Sequence, residues 1–389
     1  MHKYVEKLLN GRKVEWKRLG DVAIIKTGQS ISKKIILNNP GQYPVINSGK
    51  QPLGFIDKWN TENDPIGITT RGAGVGTITW QEGKYYRGNL NYSVTIKDNL
   101  QINVRYLYHI LLEFQSEIKS LCTFTGIPAL NASELKKLEI PIPPLDVQRE
   151  IVRVLDNFTE LTAELTAELS LRKKQYKYYL EKLLSFGDEV KWKELGEVGE
   201  LVRGSGLQKK DFTENGIPAI HYGQIYTYYG LYTKKTKSFV SFETAKKLKK
   251  VNYGDVVITN TSENFEDVGK ALVYLGKEQA VTGGHATIFK PNSEILGKYF
   301  AYFTQTNMFF KQKRKYAKGT KVIEVSASDM AKIKIPIPPI EKQKEIVEIL
   351  DKFDTLTNSI TEGLPKEISL RQKQYEYYRD MLLDFPKGI

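Results

Sequence analysis

A repeat 195 residues apart constrains this chain more than any other feature. Ile140-Pro141-Ile142-Pro143-Pro144 returns as Ile335-Pro336-Ile337-Pro338-Pro339. Gln148-Arg149-Glu150-Ile151-Val152 returns at the same offset as Gln343-Lys344-Glu345-Ile346-Val347, and Leu155-Asp156-Asn157-Phe158 as Leu350-Asp351-Lys352-Phe353. Ser170-Leu171-Arg172-Lys173-Lys174-Gln175-Tyr176 returns as Ser369-Leu370-Arg371-Gln372-Lys373-Gln374-Tyr375, where the offset has grown to 199. The second copy therefore carries four extra residues. Self-similarity on this scale makes the chain a tandem duplication of one large unit. A weaker echo links the segments between: Trp16 with Trp192, Leu19-Gly20 with Leu195-Gly196, Gly28 with Gly204, Lys33-Lys34 with Lys209-Lys210, Val75-Gly76 with Val268-Gly269.

Segments 146–184 and 341–383 read as long helices. Ile151, Val154, Phe158, Leu161, Leu165 and Leu169 recur at steps of three and four, as do Ile346, Ile349, Phe353, Leu356, Ile360 and Leu364. This is a coiled-coil seam with four-residue stutters. We expect the two helices to pair antiparallel, each about 60 Å long at 1.5 Å per residue. Ile151, Phe158, Leu161, Leu165, Leu169, Ile346, Phe353, Leu356, Ile360 and Leu364 are the expected pairing residues. Gly363 and Pro365 interrupt the second helix and would kink it. The Ile-Pro-Ile-Pro-Pro stretches read as extended, rigid connectors. Tyr4-Val5-Glu6-Lys7-Leu8-Leu9 resembles Tyr179-Leu180-Glu181-Lys182-Leu183-Leu184, which closes the first repeat. The N-terminus thus begins with the tail of a repeat, so the termini should lie close together in a pseudo-cyclic, pseudo-two-fold layout.

The remaining segments read as α+β domains with small, irregular sheets. Val22–Lys26, Ile66–Thr70, Gly76–Trp80 and Tyr92–Ile96 look like strands, and Tyr106–Leu121 looks helical. Val256–Asn260, Lys270–Leu275, Ala286–Lys290 and a basic helix across Tyr299–Lys315 follow the same order. The expected boundaries are 1–136 and 187–331 for the two domains, with spacer segments at 137–186 and 332–389.

Charge separates along these boundaries. The chain has 58 basic and 45 acidic residues, net +13. Residues 1–136 hold 18 basic and 11 acidic side chains, net +7, and residues 187–331 hold 22 and 16, net +6. Residues 137–186 hold eight of each. Two separate anion-facing domains fit this partition.

Several function classes lack their residues. One cysteine, Cys122, leaves no intrachain disulfide and points to a cytoplasmic protein. Four histidines and one cysteine do not supply a zinc site built from Cys and His spacing. No apolar run approaches the roughly 18–20 residues that cross a bilayer. Arg71-Gly72-Ala73-Gly74-Val75-Gly76 lacks the Gly-Lys-Ser/Thr ending of a phosphate-binding loop and reads as a turn. Glu82-Gly83-Lys84 could end a nuclease motif, but Gly83 reads better as a strand turn. No nucleophile, base and acid stand out together.

The Ile-Pro-Ile-Pro-Pro…Gln…Ile-Val segments and the Leu-Arg-Lys-Lys-Gln-Tyr-x-Tyr-Tyr tails resemble those of the specificity (HsdS) subunit of type I restriction-modification systems. Thr162-Ala163-Glu164-Leu165-Thr166-Ala167-Glu168-Leu169 is a tandem tetrapeptide similar to the spacer repeat of some of these subunits. The resemblance implies two α/β target-recognition domains separated by two long antiparallel helices. It implies a non-catalytic subunit that binds double-stranded DNA, each domain reading one half of a bipartite site. The helices would set the spacing and dock two modification (methyltransferase) subunits, with restriction subunits joining through the complex. S-adenosylmethionine, ATP and Mg would then belong to partner subunits, and none would be bound by this chain. The rival reading is a nucleic-acid-binding scaffold without sequence-specific readout, and a third is a stand-alone enzyme.

Phosphate contacts need Lys or Arg, and base readout needs polar side chains on loops. On that basis the DNA-binding residues expected in the first domain are Lys26, Gln29, Ser30, Lys33, Lys34, Lys50, Arg71, Arg87, Asn89 and Asn91. In the second they are Arg203, Gln208, Lys209, Lys210, His221, Tyr222, Gln224, Asn260, Thr261 and His285. His109, inside an apolar helix, reads as a packed residue, and Trp16 and Trp192 as core anchors.

Overall fold

The computed structural model describes residues 1–49 and 51–387. The chain forms two compact units: Met1–Ala163 together with the segment from Leu370 onward, and Glu164–Ser369. The unbroken helix Leu145–Leu183 gives its first half to one unit and its second half to the other. The division falls inside the tandem tetrapeptide.

Each unit is built to the same plan. In the first, an antiparallel sheet runs in the order Ala23–Thr27, Asn91–Ile96, Ile66–Thr69, Ile78–Trp80. A smaller sheet orders Phe55–Ile56, Pro40–Ile46, Lys84–Arg87 and Thr61–Glu62. In the second, the main sheet runs Gly199–Arg203, Ala286–Pro291, Val256–Thr259, Ala271–Tyr274, Tyr232–Thr233. The expected Tyr106–Leu121 helix is two helices, Val104–Glu113 and Gln115–Ser120, which meet at Phe114. The basic helix is likewise Gly297–Phe303 and Asn307–Tyr316, restarted by the Thr306 side chain, which accepts from Phe309 N. The Ile-Pro stretches are extended, but they are more than connectors. Glu139–Ile142 pairs with Glu15–Arg18, placing Pro141 opposite Trp16, and Lys334–Pro336 pairs with Trp192–Glu194. Proline is tolerated because each ladder has only two strands.

The repeated residues are the ones that tie helix to domain. Gln148 is fully buried. Its Oε1 accepts from Asn103 N (2.8 Å), and its Nε2 donates to Gln101 O (3.0 Å) and Pro143 O (2.7 Å). Gln343 repeats the clamp on Leu296 N, Glu294 O and Pro338 O. Tyr106 donates to Pro141 O, and Tyr299 to Pro336 O. Asp156 accepts from Arg105 and pairs with His109 Nε2, whose Nδ1 meets the Tyr375 hydroxyl at 3.1 Å. Asp351 accepts from Lys298 and Tyr302. Burial opposes ionisation of Asp156, but hydrogen bonds from His109 and Arg105 outweigh it and hold its carboxyl below the usual range. Burial lowers the His109 pKa, so the packed role read from sequence is the one it has.

The expected pairing residues differ in burial. Ile151, Ile346 and Leu364 are buried, and Leu161, Leu165, Leu169 and Leu356 are half-buried. Phe158 stacks on Tyr378 at 5.0 Å in the first unit; Phe353 stacks on Tyr179 (5.4 Å) and Tyr176 (6.2 Å) in the second. Ile360 is 81% exposed. The second helix is broken into Ile340–Asn358 and Gly363–Leu383, and Ile360 lies in the gap. Ser359 Oγ accepts from Thr361 N and Glu362 N there. Gly363 adopts φ +72°, where a Cβ would overlap Thr355 O. Pro365 sits in the first turn of the new helix, where its missing N–H costs nothing.

The termini meet in the first unit, as the pseudo-cyclic reading requires. The Met1 amine pairs with Asp384 (3.2 Å), Trp16 Nε1 donates to Pro386 O, and Lys387 pairs with Glu139.

Candidate nucleic-acid interface

The two domains share a loop scaffold that hydrogen bonds identify bond by bond. Gly28 N donates to Asn91 O, and Asn91 N closes a turn on Gly88 O. Gly204 N donates to Ala286 O, and Ala286 N closes the same turn on Gly283 O. A Cβ at Gly28 or Gly204 would drive into the carbonyl of Gly88 or Gly283, which is why the glycine survives in both copies. Thr70 N donates to Leu90 O and Leu130 N to Thr70 O; Asn260 N donates to His285 O and Val325 N to Asn260 O. Arg71 and Thr261 therefore occupy one place, and Leu90 and His285 another. The backbone is common, and the side chains it displays differ.

In the first domain, Lys26 is exposed at the end of its strand, and Gln29 and Ser30 follow on the loop. Gln29 N donates to Arg87 O, which sets Gln29 beside the turn carrying exposed Asn89. Arg71 is exposed and bridges to Ala129. Lys33 and Lys34 open the exposed helix Lys33–Asn38, capped by Ser32. Lys50 lies outside the described residues.

Arg87 and Asn91 are corrected from DNA contacts to core residues. Arg87 is 3% exposed. Its guanidinium donates to Asn91 Oδ1 (2.6 Å), Tyr92 O (2.9 Å), Asp64 O (2.7 Å) and the Tyr85 hydroxyl. Asn91 is fully buried. Asn260 is corrected for the same reason: buried, it donates to Val325 O and accepts from Thr287. These polar groups hold the display loops from beneath.

In the second domain the structure gathers five of the expected residues at one tip. Tyr222 lies tilted between His221 (4.6 Å) and His285 (4.8 Å). His285 Nδ1 meets Thr261 Oγ1 at 3.1 Å, and Arg203 pairs with Glu324, the strand partner of Thr261. His221 caps the helix Tyr222–Thr227 through Nδ1. Burial, and then the nearby Lys209 and His285, lower its pKa. Gln208, Lys209 and Lys210 form an exposed turn nearby in sequence. Gln224 is half-buried and donates to Ser238 Oγ, so it braces the helix. An aromatic–imidazole stack edged by Thr261 offers donors, acceptors and π-faces to base edges.

Sequence reasoning missed one shared element. Thr123 pairs with Ala129, and Lys318 with Glu324, each closing a hairpin one strand beyond Arg71 or Thr261. Its tips expose Phe124 and Ile127 in one domain and Val322 in the other. The signal that could have found them is the offset: Ile127 and Val322 are 195 residues apart, like the Ile-Pro motif.

Among the described residues no helix is long and apolar enough to cross a membrane, and no group of His, Cys, Asp or Glu could hold a metal.

The two basic domains thus build one loop scaffold twice and display different side chains on it. The chain matches the family model "Type I restriction modification DNA specificity domain" twice, over residues 12–171 and 187–370. It is 34% identical over 415 residues to the specificity subunit of an Escherichia coli type I restriction enzyme, covering 99% of this chain and 97% of that one. It is also 34% identical to a putative type I restriction enzyme specificity subunit of Haemophilus influenzae, covering 98% of each. The S subunit of a type I system from M. genitalium has the same fold, with TM-score 0.63 at 22% identity over 98% of both chains. The chain belongs to the family of type I restriction-modification specificity subunits, and its function is sequence-specific DNA recognition.

Proposed function

We propose that each domain reads one half of a bipartite DNA site and that the chain itself catalyses nothing. The observation that carries this is the shared loop scaffold: identical backbone bonds around Gly28 and Gly204 present Arg71 and Asn89 in one domain and Thr261 and His285 in the other. One architecture with two sets of readers fits two different half-sites. S-adenosylmethionine and ATP chemistry would come from partner subunits. The test is an exchange of residues 16–136 for the matching domain of another family member. Methylation mapping in a host should show one half-site changed and the other kept; alteration of both would refute independent readout. Binding should also weaken with salt, log affinity falling against log salt by about 0.9 per phosphate contact.

The partner surface follows from what the repeats keep on the outside. Leu171 and Tyr178, on the second half of the long helix, are each 59% exposed; Leu370 and Tyr377, at the equivalent places on the last helix, are 46% and 64% exposed. A seven-residue step puts each pair on one helix face, opposite Tyr176 and Tyr375, which are buried. Exposed apolar residues retained in both copies fit one partner bound twice. We therefore assign these faces to two modification subunits. Tyr178→Ala with Leu171→Ala should leave a folded chain that purifies with one modification subunit in place of two, measured by native mass spectrometry. An unchanged stoichiometry would remove this face from the interface.

A further inference from the structure

We infer that each domain carries a hairpin that enters a groove of its half-site, with Ile127 in the first domain and Val322 in the second touching base edges. Phe124 adds a second apolar contact in the first domain only. The inference rests on the DNA-reading role of the two domains and extends it to residues of a type that polar-contact reasoning passes over.

Five observations converge on the hairpins. Their place is set by backbone bonds: Gly72 N donates to Pro128 O and Leu130 N to Thr70 O, which binds the first hairpin to the strand carrying Arg71. The second pairs Glu324 with Thr261 and Ile323 with Ser262, next to the His285–Tyr222–His221 stack. The tips are exposed: Phe124 64%, Ile127 65% and Val322 58%. None of the three belongs to a buried core cluster. Gly126 turns the first tip at φ +87° with open space around it, a need of conformation and not of packing. Finally, the chemistry around the tips suits a polyanion. The first has no acid between Thr123 and Ala129 and lies beside Arg71. The second carries Lys318 and Lys321, and its Glu324 is already paired with Arg203. An aliphatic side chain held among cations is suited to a thymine methyl in the major groove or to a base step in the minor groove, while the cations take phosphates.

The experiment uses the chain in complex with its modification subunits. Methylation mapping first defines the wild-type site, and a duplex bearing that site then serves as the probe. Phe124→Ser with Ile127→Ser should weaken binding by about tenfold, equivalent to roughly 1.4 kcal/mol, and relax only the half-site read by the first domain. Val322→Ser should relax only the other. The slope of log affinity against log salt should stay at its wild-type value, because no phosphate contact is lost, whereas Lys321→Ala should reduce it by about 0.9. All three sites are exposed, so circular dichroism should match wild type. Affinity and methylation pattern within twofold of wild type in both serine variants would overturn the inference. So would loss of the modification subunits from the purified complex, which would make the hairpins protein contacts. A wild-type complex that methylates without sequence preference would instead defeat the reading of DNA itself, before any hairpin variant is compared.

Discussion

Gln148→Leu is expected to destabilise the first unit by about 3–5 kcal/mol and leave the second intact. Leucine fills much of the same space but orphans three backbone groups at once: the buried Pro143 C=O and the half-buried Asn103 N–H and Gln101 C=O. Each unsatisfied group costs about 1–3 kcal/mol, far more than the net gain of an ordinary hydrogen bond. Asn103 is also the N-cap of Val104–Glu113, so the loss reaches the helix that packs His109 and Arg105 against Asp156. Three of the four tryptophans, Trp16, Trp59 and Trp80, lie in the first unit. Tryptophan fluorescence therefore follows that unit in urea, and its midpoint should drop by roughly 2 M for a slope near 2 kcal/mol/M. Gln343→Leu should leave this signal in place and lower the second unit's transition, seen by circular dichroism. A fluorescence shift under about 0.5 M would mean that the clamp is replaceable by water.

That clamp also explains what was legible in the sequence. The repeat is visible because its members are the ties between helix and domain, and such ties admit few substitutes. Gln148 and Gln343 satisfy the same three kinds of backbone group; Asp156 and Asp351 each take one cation and one ring donor. The long helix was legible because its seam is a local period, and the break at Ser359–Glu362 announced itself through Gly363. The display loops were half legible. Lys26, Gln29, Arg71, Asn89, Thr261 and His285 reach the surface, but Arg87, Asn91 and Asn260 do not. Polarity says that a side chain needs partners, not whether water or Asp64, Tyr92 and Val325 supply them. Phe124, Ile127 and Val322 fail in the opposite sense: residue type assigns them to a core that the fold does not give them.

Adding one Thr-Ala-Glu-Leu unit at 162–169 is expected to lengthen the gap between the half-sites by one base pair and leave the half-sites unchanged. The tetrapeptides lie in an unbroken helix that supplies residues to both units, so the insertion lengthens a helix and not a loop. Four residues add about 6 Å and overshoot one helical turn by roughly 40°. One base pair turns the duplex by about 35° and advances it about 3.4 Å. Rotation matches one base pair, while length alone would allow one or two. Leu161, Leu165 and Leu169 are half-buried at steps of four, and a further step of four continues that stripe. An insertion of two residues instead rotates everything beyond it by about 200°. It would expose Leu165 and Leu169 or misalign Tyr176 and Tyr179 against Phe353, and a folded, active product is not expected. The measurement is methylation mapping of variants with one, two and three units, each step moving the gap by one base pair. A gap that stays constant across the series, or half-sites that change with it, would separate the helix length from the spacing of the site.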